Sequence, residues 1–397
     1  MKKILAILLL CVLLVGCGPQ KVQEIESTEP PVAEVTTEPV SAETEPPTEA
    51  ETEPADQQLP MVAVSIPLSV DTMEADDGNT IFRKTSQSMQ LTMRDPDVAD
   101  KIILDFLNRV DTLTADADTV RQAAEAAYTA DDTWANYFLD VIYTINRADH
   151  GVLSMYGELT SYSGGNRPLS QCLAANYNMV SGDVLTLGSI LYHIDCKDDI
   201  ANLVVSCLDS VAEEKSLFDD YQDIVMQRFA RDESFDEDWY FTNTCLCFYF
   251  APYEIAPSSS GVIITEIPYS DLAGLISDEF FPAEEVESNG EILCVSAENA
   301  QMDQFSQIAE MIADNDGEMF FLYTNGTVRN VYIQTIPSTD DYVIEASTSV
   351  FSTYTLTPGD AVMLKILPNE ETPTLQISYE SSGQTQVIIL SAEYLKG

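Results

Sequence analysis

Residues 239–269 read WYFTNTCLCFYFAPYEIAPSSSGVIITEIPY. From Phe241 to Phe250 both alternating faces are apolar, with Leu246, Phe248 and Phe250 on one side and Cys245, Cys247 and Tyr249 on the other. That pattern predicts a strand buried on both faces. Pro252 cannot donate to a ladder and ends it. The Ser258-Ser-Ser-Gly261 turn then leads into Val262 to Ile267, a second β-branched run stopped by Pro268. Two core strands thus frame one loop, Pro252-Tyr-Glu-Ile-Ala-Pro257. A carboxylate fixed at Glu254 beside Tyr253 suits recognition of a cationic or hydrogen-bonding partner, and these two are the candidate ligand-binding residues. The competing interpretation of the same loop is purely structural.

Upstream, Val62 to Leu68 predicts an opening strand, Asp76-Asp-Gly-Asn79 a turn, and Met89, Leu91 and Met93 one face of a further strand. Asp95-Pro96 has the chemistry of a helix start, an acceptor side chain followed by a proline tolerated in the first turn. Val98, Ile102, Ile103, Phe106, Leu107 and Val110 form the apolar face of that helix. A second, Ala-rich helix spans Ala117 to Ala130. Trp134 to Ile145 and Val152 to Tyr162 are expected as long paired strands, and Cys172 to Met179 continues their sheet. Ile200, Leu203, Val204, Cys207, Leu208 and Val211 mark one helix, and Phe218 to Phe229 another. A short helix is expected over Asp271 to Ile276.

An acidic, Gly-terminated stretch at Pro282 to Gly290 suggests a boundary. Beyond it the pattern predicts a strand, a helix with Phe305, Ile308 and Ile312 inward, and several strands separated by Gly-containing turns. The expected fold class is α+β. Antiparallel sheets pack with helices over 136–282, residues 61–135 precede them as a smaller unit, and 291–397 form a mainly β C-terminal domain.

The first residues are a targeting signal. Lys2 and Lys3 precede an apolar run from Ile4 to Val15, and Leu14-Val-Gly-Cys17 has the form of a bacterial lipoprotein cleavage site. Residues 1–16 are accordingly expected as a lipoprotein signal peptide, with Cys17 acylated as the mature N-terminus. The apolar run is shorter than the roughly 20 residues a spanning helix needs. The expected location is the extracytoplasmic face of the cell membrane, held by the lipid anchor alone. Residues 17–60 are rich in Thr, Glu and Pro with no aromatic residue, the composition of a disordered acidic tether.

Net charge is −48. Such acidity disfavours nucleic acid and anionic lipid as partners; the charge is either a solubility coat or also an attraction for a cationic partner. Of eight cysteines, Cys11 leaves with the signal and Cys17 is acylated. Cys207 lies on an apolar helical stripe and Cys245 and Cys247 on one strand face, so the remaining thiols are expected as buried, free side chains. No cysteine or histidine spacing matches a zinc site, and Asp314-Asn-Asp-Gly317 lacks the distal ligands of a calcium loop. Neither metal nor cofactor is expected.

The loop and its surroundings resemble a known family. FxFAPYEIAP, a small-residue turn with Gly261, and Ile267-Pro-Tyr269 resemble the signature of the RsiV C-terminal-like extracellular domain. Upstream, Tyr162-Ser-Gly-Gly165-Asn-Arg-Pro168 and Asn176-Tyr-Asn-Met-Val-Ser-Gly182-Asp-Val-Leu-Thr-Leu187 resemble two further stretches of that family. Arg167 stands where the family carries His, and Ser258 where Tyr is common. The resemblance covers residues 136–280. Residues 61–135 resemble the domain that precedes it in such proteins and that also occurs beside peptidoglycan deacetylases (PdaC-like). It implies a surface module that recognises lysozyme, another cationic protein or a cell-wall component.

No G-x-S-x-G, P-loop or H-E-x-x-H motif is present, and two histidines in loop contexts offer little base chemistry, so no enzyme is expected. The alternatives are a carboxylate-dependent cell-wall carbohydrate hydrolase and a structural or assembly lipoprotein.

Overall fold

Helix-capping chemistry and a series of hairpins build the first half of the chain. The computed structural model describes residues 61–128, 135–212, 214–231, 238–282, 287–312, 318–336, 348–366 and 374–390. The signal peptide, Cys17, the tether and the Asp314–Gly317 turn lie outside these residues. Strands β1 (Ala63–Ser65), β2 (Leu68–Glu74), β3 (Thr80–Gln87) and β4 (Gln90–Thr92) come first. Helix α1 (Pro96–Leu113) starts as expected, with the Asp95 carboxylate accepting from the N–H groups of Asp97 and Val98 at 3.0 and 3.3 Å. Helix α2 (Ala117–Ala127) follows.

The long hairpin strands are β5 (Tyr137–Ala148) and β6 (Val152–Tyr162), continued by β7 (Leu169–Asn178). Together with β2 and β3 they make a five-stranded sheet in the order β2-β3-β5-β6-β7, in which only β3 and β5 run parallel. The inward face of α1 buries Ile102, Phe106 and Val110 against Val141, Tyr143 and Ile145 of β5. On the same sheet α2 covers Phe82, Tyr137 and Leu139.

Helices α3 (Leu187–Ile190), α4 (Cys196–Val211) and α5 (Tyr221–Phe229) precede β8 (Trp239–Phe241), β9 (Cys245–Phe250) and β10 (Ile263–Pro268). The last three form an antiparallel sheet with β9 in the centre. Burial on both faces has a simple cause. Leu246, Phe248 and Phe250 pack with Ile200, Val204, Leu208 and Phe229 from α4 and α5, while Cys247 and Tyr249 pack with Cys172 and Ala174 of β7. Trimming Phe248 to Ala would cost about 3–5 kcal/mol on that account.

One continuous strand over Phe241 to Phe250 was expected, and the structure divides it. The Thr242 hydroxyl accepts from the backbone N–H of Thr244 at 3.2 Å and Cys245 at 2.9 Å, so the polar triplet closes a turn of its own. The helix expected over Asp271 to Ile276 is likewise only a single 3-10 turn at Tyr269–Asp271.

The remaining strands are β11 (Ile292–Ser296), β12 (Gln307–Ile312), β13 (Glu318–Thr324), β14 (Val328–Ile336), β15 (Thr348–Leu356), β16 (Asp360–Ile366), β17 (Thr374–Ser381) and β18 (Gln384–Leu390). Residues 307–312, expected as part of a helix, form β12, which pairs in parallel with β16. Strand pairing overrode a short pattern that fits either period. One sheet runs β11-β13-β16-β12 and the other β18-β17-β14-β15-β1-β4. Strand pairing crosses both expected boundaries, the one after residue 135 and the one at 282–290. β3 pairs with β5, and β1 lies between β15 and β4, with Ala63 opposite Thr353 and Thr92. Residues 58–397 form one compact unit. The molecule is thus a mixed α+β fold with several largely antiparallel sheets and few helices.

Candidate functional site

The loop after β9 is held by hydrogen bonds within it and by one from the segment before α5. Ala251 N–H donates to the Glu254 carboxylate at 2.9 Å, Tyr253 N–H to Ala256 O at 3.0 Å, and Phe218 N–H to Ile255 O at 2.9 Å. Ile255 and Ala256 are buried and anchor the loop to the core beneath. Tyr253 adopts a φ of 72°, a left-handed conformation that costs a tyrosine about 1–2 kcal/mol. The residue is 59% exposed, so burial offsets little of the strain. Backbone strain of this kind persists where the surroundings over-determine it.

The structure turns the two candidate ligand residues in different directions. Glu254 forms an ion pair with Arg228 of α5. The same guanidinium pairs with Asp238 and lies 5.7 Å from the centre of the Phe250 ring. The Glu254 carboxylate therefore braces the loop against α5. Tyr253 faces solvent. The neighbouring Ser258 hydroxyl and Arg167 guanidinium favour its phenolate and, with the positive charge of Arg167, hold it below the usual phenol range.

Arg167 is delivered by the β6–β7 loop. Tyr162 Oη donates to Gly165 O at 3.0 Å, and Gly164 has a φ of 92°. A Cβ at Gly164 would lie 2.4 Å from Tyr137 Oη, so this close approach requires glycine. Arg167 itself is exposed and makes no ion pair with a described residue.

At the opposite end of the β9–β10 hairpin from this loop lies a buried polar cluster that sequence reasoning missed. Arg147 donates from Nε to Asp149 at 2.7 Å, and from Nη1 to Tyr269 Oη at 2.8 Å and Phe280 O at 2.6 Å. Its guanidinium sits 5.3 Å from the Phe241 ring centre and 5.6 Å from that of Tyr269. Asp149 also accepts from the N–H groups of Gly151 and Val152, both at 2.8 Å. Tyr269 Oη donates in turn to Thr242 O at 2.9 Å. The tyrosine of Ile267-Pro-Tyr269 thus ties the end of β10 to the β5–β6 hairpin. By spacing alone Arg147 would continue the inward series Val141, Tyr143, Ile145, but a bulge after Ile145 sets it opposite Ser154, on the face that meets Phe241 and Tyr269.

The described cysteines, Cys172, Cys196, Cys207, Cys245, Cys247 and Cys294, are free thiols. Burial pushes the Cys172 and Cys247 thiols up, and that of Cys294 to about 11. Among the described residues no group of three His, Cys, Asp or Glu side chains is placed to hold a metal ion, and no helix is long and apolar enough to cross a membrane. The β2–β3 turn and α2 enclose an acidic hollow of about 330 Å³, lined by Glu74, Asp76, Asp77 and Glu125.

Residues 191–270 match the family described as a protein of unknown function, DUF3298. The chain carries a DUF3298 domain. The matched residues run from the start of α4 through β10 and contain Tyr253, Glu254 and Arg228. Two solved structures are similar. A DUF3298 family member from Bacteroides fragilis is 15% identical, with 55% of this chain and 94% of that one covered and a TM-score of 0.40. A DUF3298 family protein from Pseudomonas aeruginosa is 16% identical, with 58% and 99% covered and a TM-score of 0.37. No curated protein matches the chain.

Proposed function

We propose that this chain is a lipid-anchored, extracytoplasmic binding protein, without catalytic activity, whose DUF3298 domain and RsiV-like surroundings capture a cationic protein, lysozyme being the partner to test first. The observation that carries the proposal is Tyr253, an exposed aromatic held in a strained, fixed conformation at the tip of a braced loop. A rigid tyrosine supplies contact area at small entropic cost, which is why such side chains anchor protein interfaces. Glu254 contributes through Arg228, by holding the loop. The charge of −48 supplies the long-range term, drawing a cationic partner in and speeding encounter at low salt. Cys17, as the acylated residue, places this head outside the membrane on its acidic tether.

Binding of the full-length protein to lysozyme by interferometry, at low and physiological salt, tests the proposal. Micromolar or tighter binding that salt weakens, and that Tyr253→Ala reduces by about tenfold or more, is the expected result. No binding at either salt removes lysozyme as the partner. Binding that Tyr253→Ala leaves unchanged removes the loop as the interface.

A further inference from the structure

A second recess lies between α1 and β7, away from the tip of the Tyr253 loop. It has a volume of about 430 Å³, within the rough range of 300–1,000 Å³ usual for small-molecule sites. Asp105, Asn108 and Arg109 line it from α1, Gln171 from β7, and Asp238 and Tyr249 from the strands behind. We propose that this recess binds a neutral sugar, an activity separate from the capture of a protein.

The charged groups of the recess are already satisfied within the fold. Asp105 accepts from Arg109 Nε at 3.1 Å and from Tyr177 Oη at 3.0 Å. Asp238 is paired with Arg228. Each carboxylate in the wall is therefore already in contact with a guanidinium, Asp238 sharing Arg228 with Glu254, and the recess presents donors and acceptors rather than a bare charge. At its mouth the side-chain amides of Asn108 and Gln171 are exposed and make no hydrogen bond with a described residue. Each amide offers two donors and an acceptor.

Leu173 and Ala174 supply apolar wall beside these polar groups. Alternating hydroxyls that both donate and accept, on an apolar ring face, match such a lining. A carboxylate ligand would approach against the field of a strongly acidic chain. An ammonium group would have to displace an arginine from its partner or sit beside it, which like-charge repulsion opposes.

Saturation-transfer NMR and calorimetry on the full-length protein test this, with N-acetylglucosamine and its β-1,4-linked disaccharide as neutral probes. Glucosamine at mildly acidic pH and glucuronate serve as the charged counterparts. Saturation transfer to the neutral probes is expected, with weaker or absent transfer to the charged ones. The double variant Asn108→Ala, Gln171→Ala should weaken binding about tenfold while leaving the melting temperature unchanged, because both positions are exposed. Asn108→Trp, which fills the mouth, should abolish it. The proposal is overturned if no neutral sugar binds, if the charged sugars bind as well, or if the double variant binds like the parent. Lysozyme binding, measured alongside, should not change in either variant.

Discussion

Changing Asp149 to Asn takes the counter-charge from a guanidinium that is wholly out of contact with water. Stranding a buried charge in this way costs about 3–5 kcal/mol. Asparagine keeps an acceptor oxygen for the Gly151 and Val152 N–H groups, so the loss should fall near the lower figure, about 3 kcal/mol. Against a net stability of about 5–15 kcal/mol for a folded domain, that is a large share. Removing both charges with Arg147→Met and Asp149→Asn together is expected to cost less than the sum of the single changes. Tyr269 and Phe280 O then lose a donor, at about 1–3 kcal/mol each, but no charge remains stranded. The cycle should give a coupling of about 2 kcal/mol. Urea unfolding, followed in parallel by circular dichroism and tryptophan fluorescence, measures it. Trp239 reports locally, its ring centre 5.2 Å from that of Phe241, on which Arg147 rests. Coincident transitions by the two probes are needed before a single free energy is assigned. If Asp149→Asn costs under about 1 kcal/mol, or the double change equals the sum, the pair is not the coupled, desolvated unit described above.

Tyr253→Gly should stabilise the fold by about 1 kcal/mol, because glycine adopts a φ of 72° without strain, while removing the contact residue proposed for the partner. A urea midpoint that falls would mean the tyrosine ring stabilises the loop. In a spectrophotometric titration Tyr253 should give an early phenolate step, since its phenol is held below the ordinary value while burial pushes Tyr156, Tyr177, Tyr240, Tyr249 and Tyr269 up. Arg167→Ala removes a cation that favours the phenolate, so the step should move to higher pH, and Tyr253→Phe should delete it. Under native conditions Cys172 and Cys247 should resist a thiol reagent until urea exposes them, because both are buried and their thiolates are disfavoured by desolvation. Fast native labelling of either, located by peptide mass, would contradict that burial.

Much of the architecture was legible because it rests on local chemistry. The Asp95-Pro96 start of α1, the Asp76–Asn79 turn and the doubly apolar character of β9 each depend on residues close in sequence. Non-local pairing was less so. Nothing in Ala63-Val-Ser65 announces that it will lie beside Ser352, almost three hundred residues on, and nothing in Gln307–Ile312 distinguishes an edge strand from two turns of helix. Arg147 was missed for another reason. Charge argues for the surface, and its burial depends on a bulge after Ile145 that turns it toward Phe241 and Tyr269.

The candidate site shows how the two kinds of information combine. In sequence, Arg167 and Ser258 were simply the two positions at which the chain departs from the family it resembles, about ninety residues apart. In the fold both reach the phenol of Tyr253, one from the β6–β7 loop and one from the turn before β10. Two departures that meet on one exposed, strained side chain are better understood as one altered surface than as two separate losses. The guanidinium brings a fixed positive charge to the tip of the loop in an otherwise strongly acidic chain. On the proposed function, a partner engaged at Tyr253 would be cationic as a whole and yet offer an acceptor where it meets Arg167. Arg167→His, which restores the residue type the family carries, tests that requirement directly. The substitution should weaken binding most at a pH where the histidine is neutral, and a partner held equally well at every pH would place the contact away from residue 167.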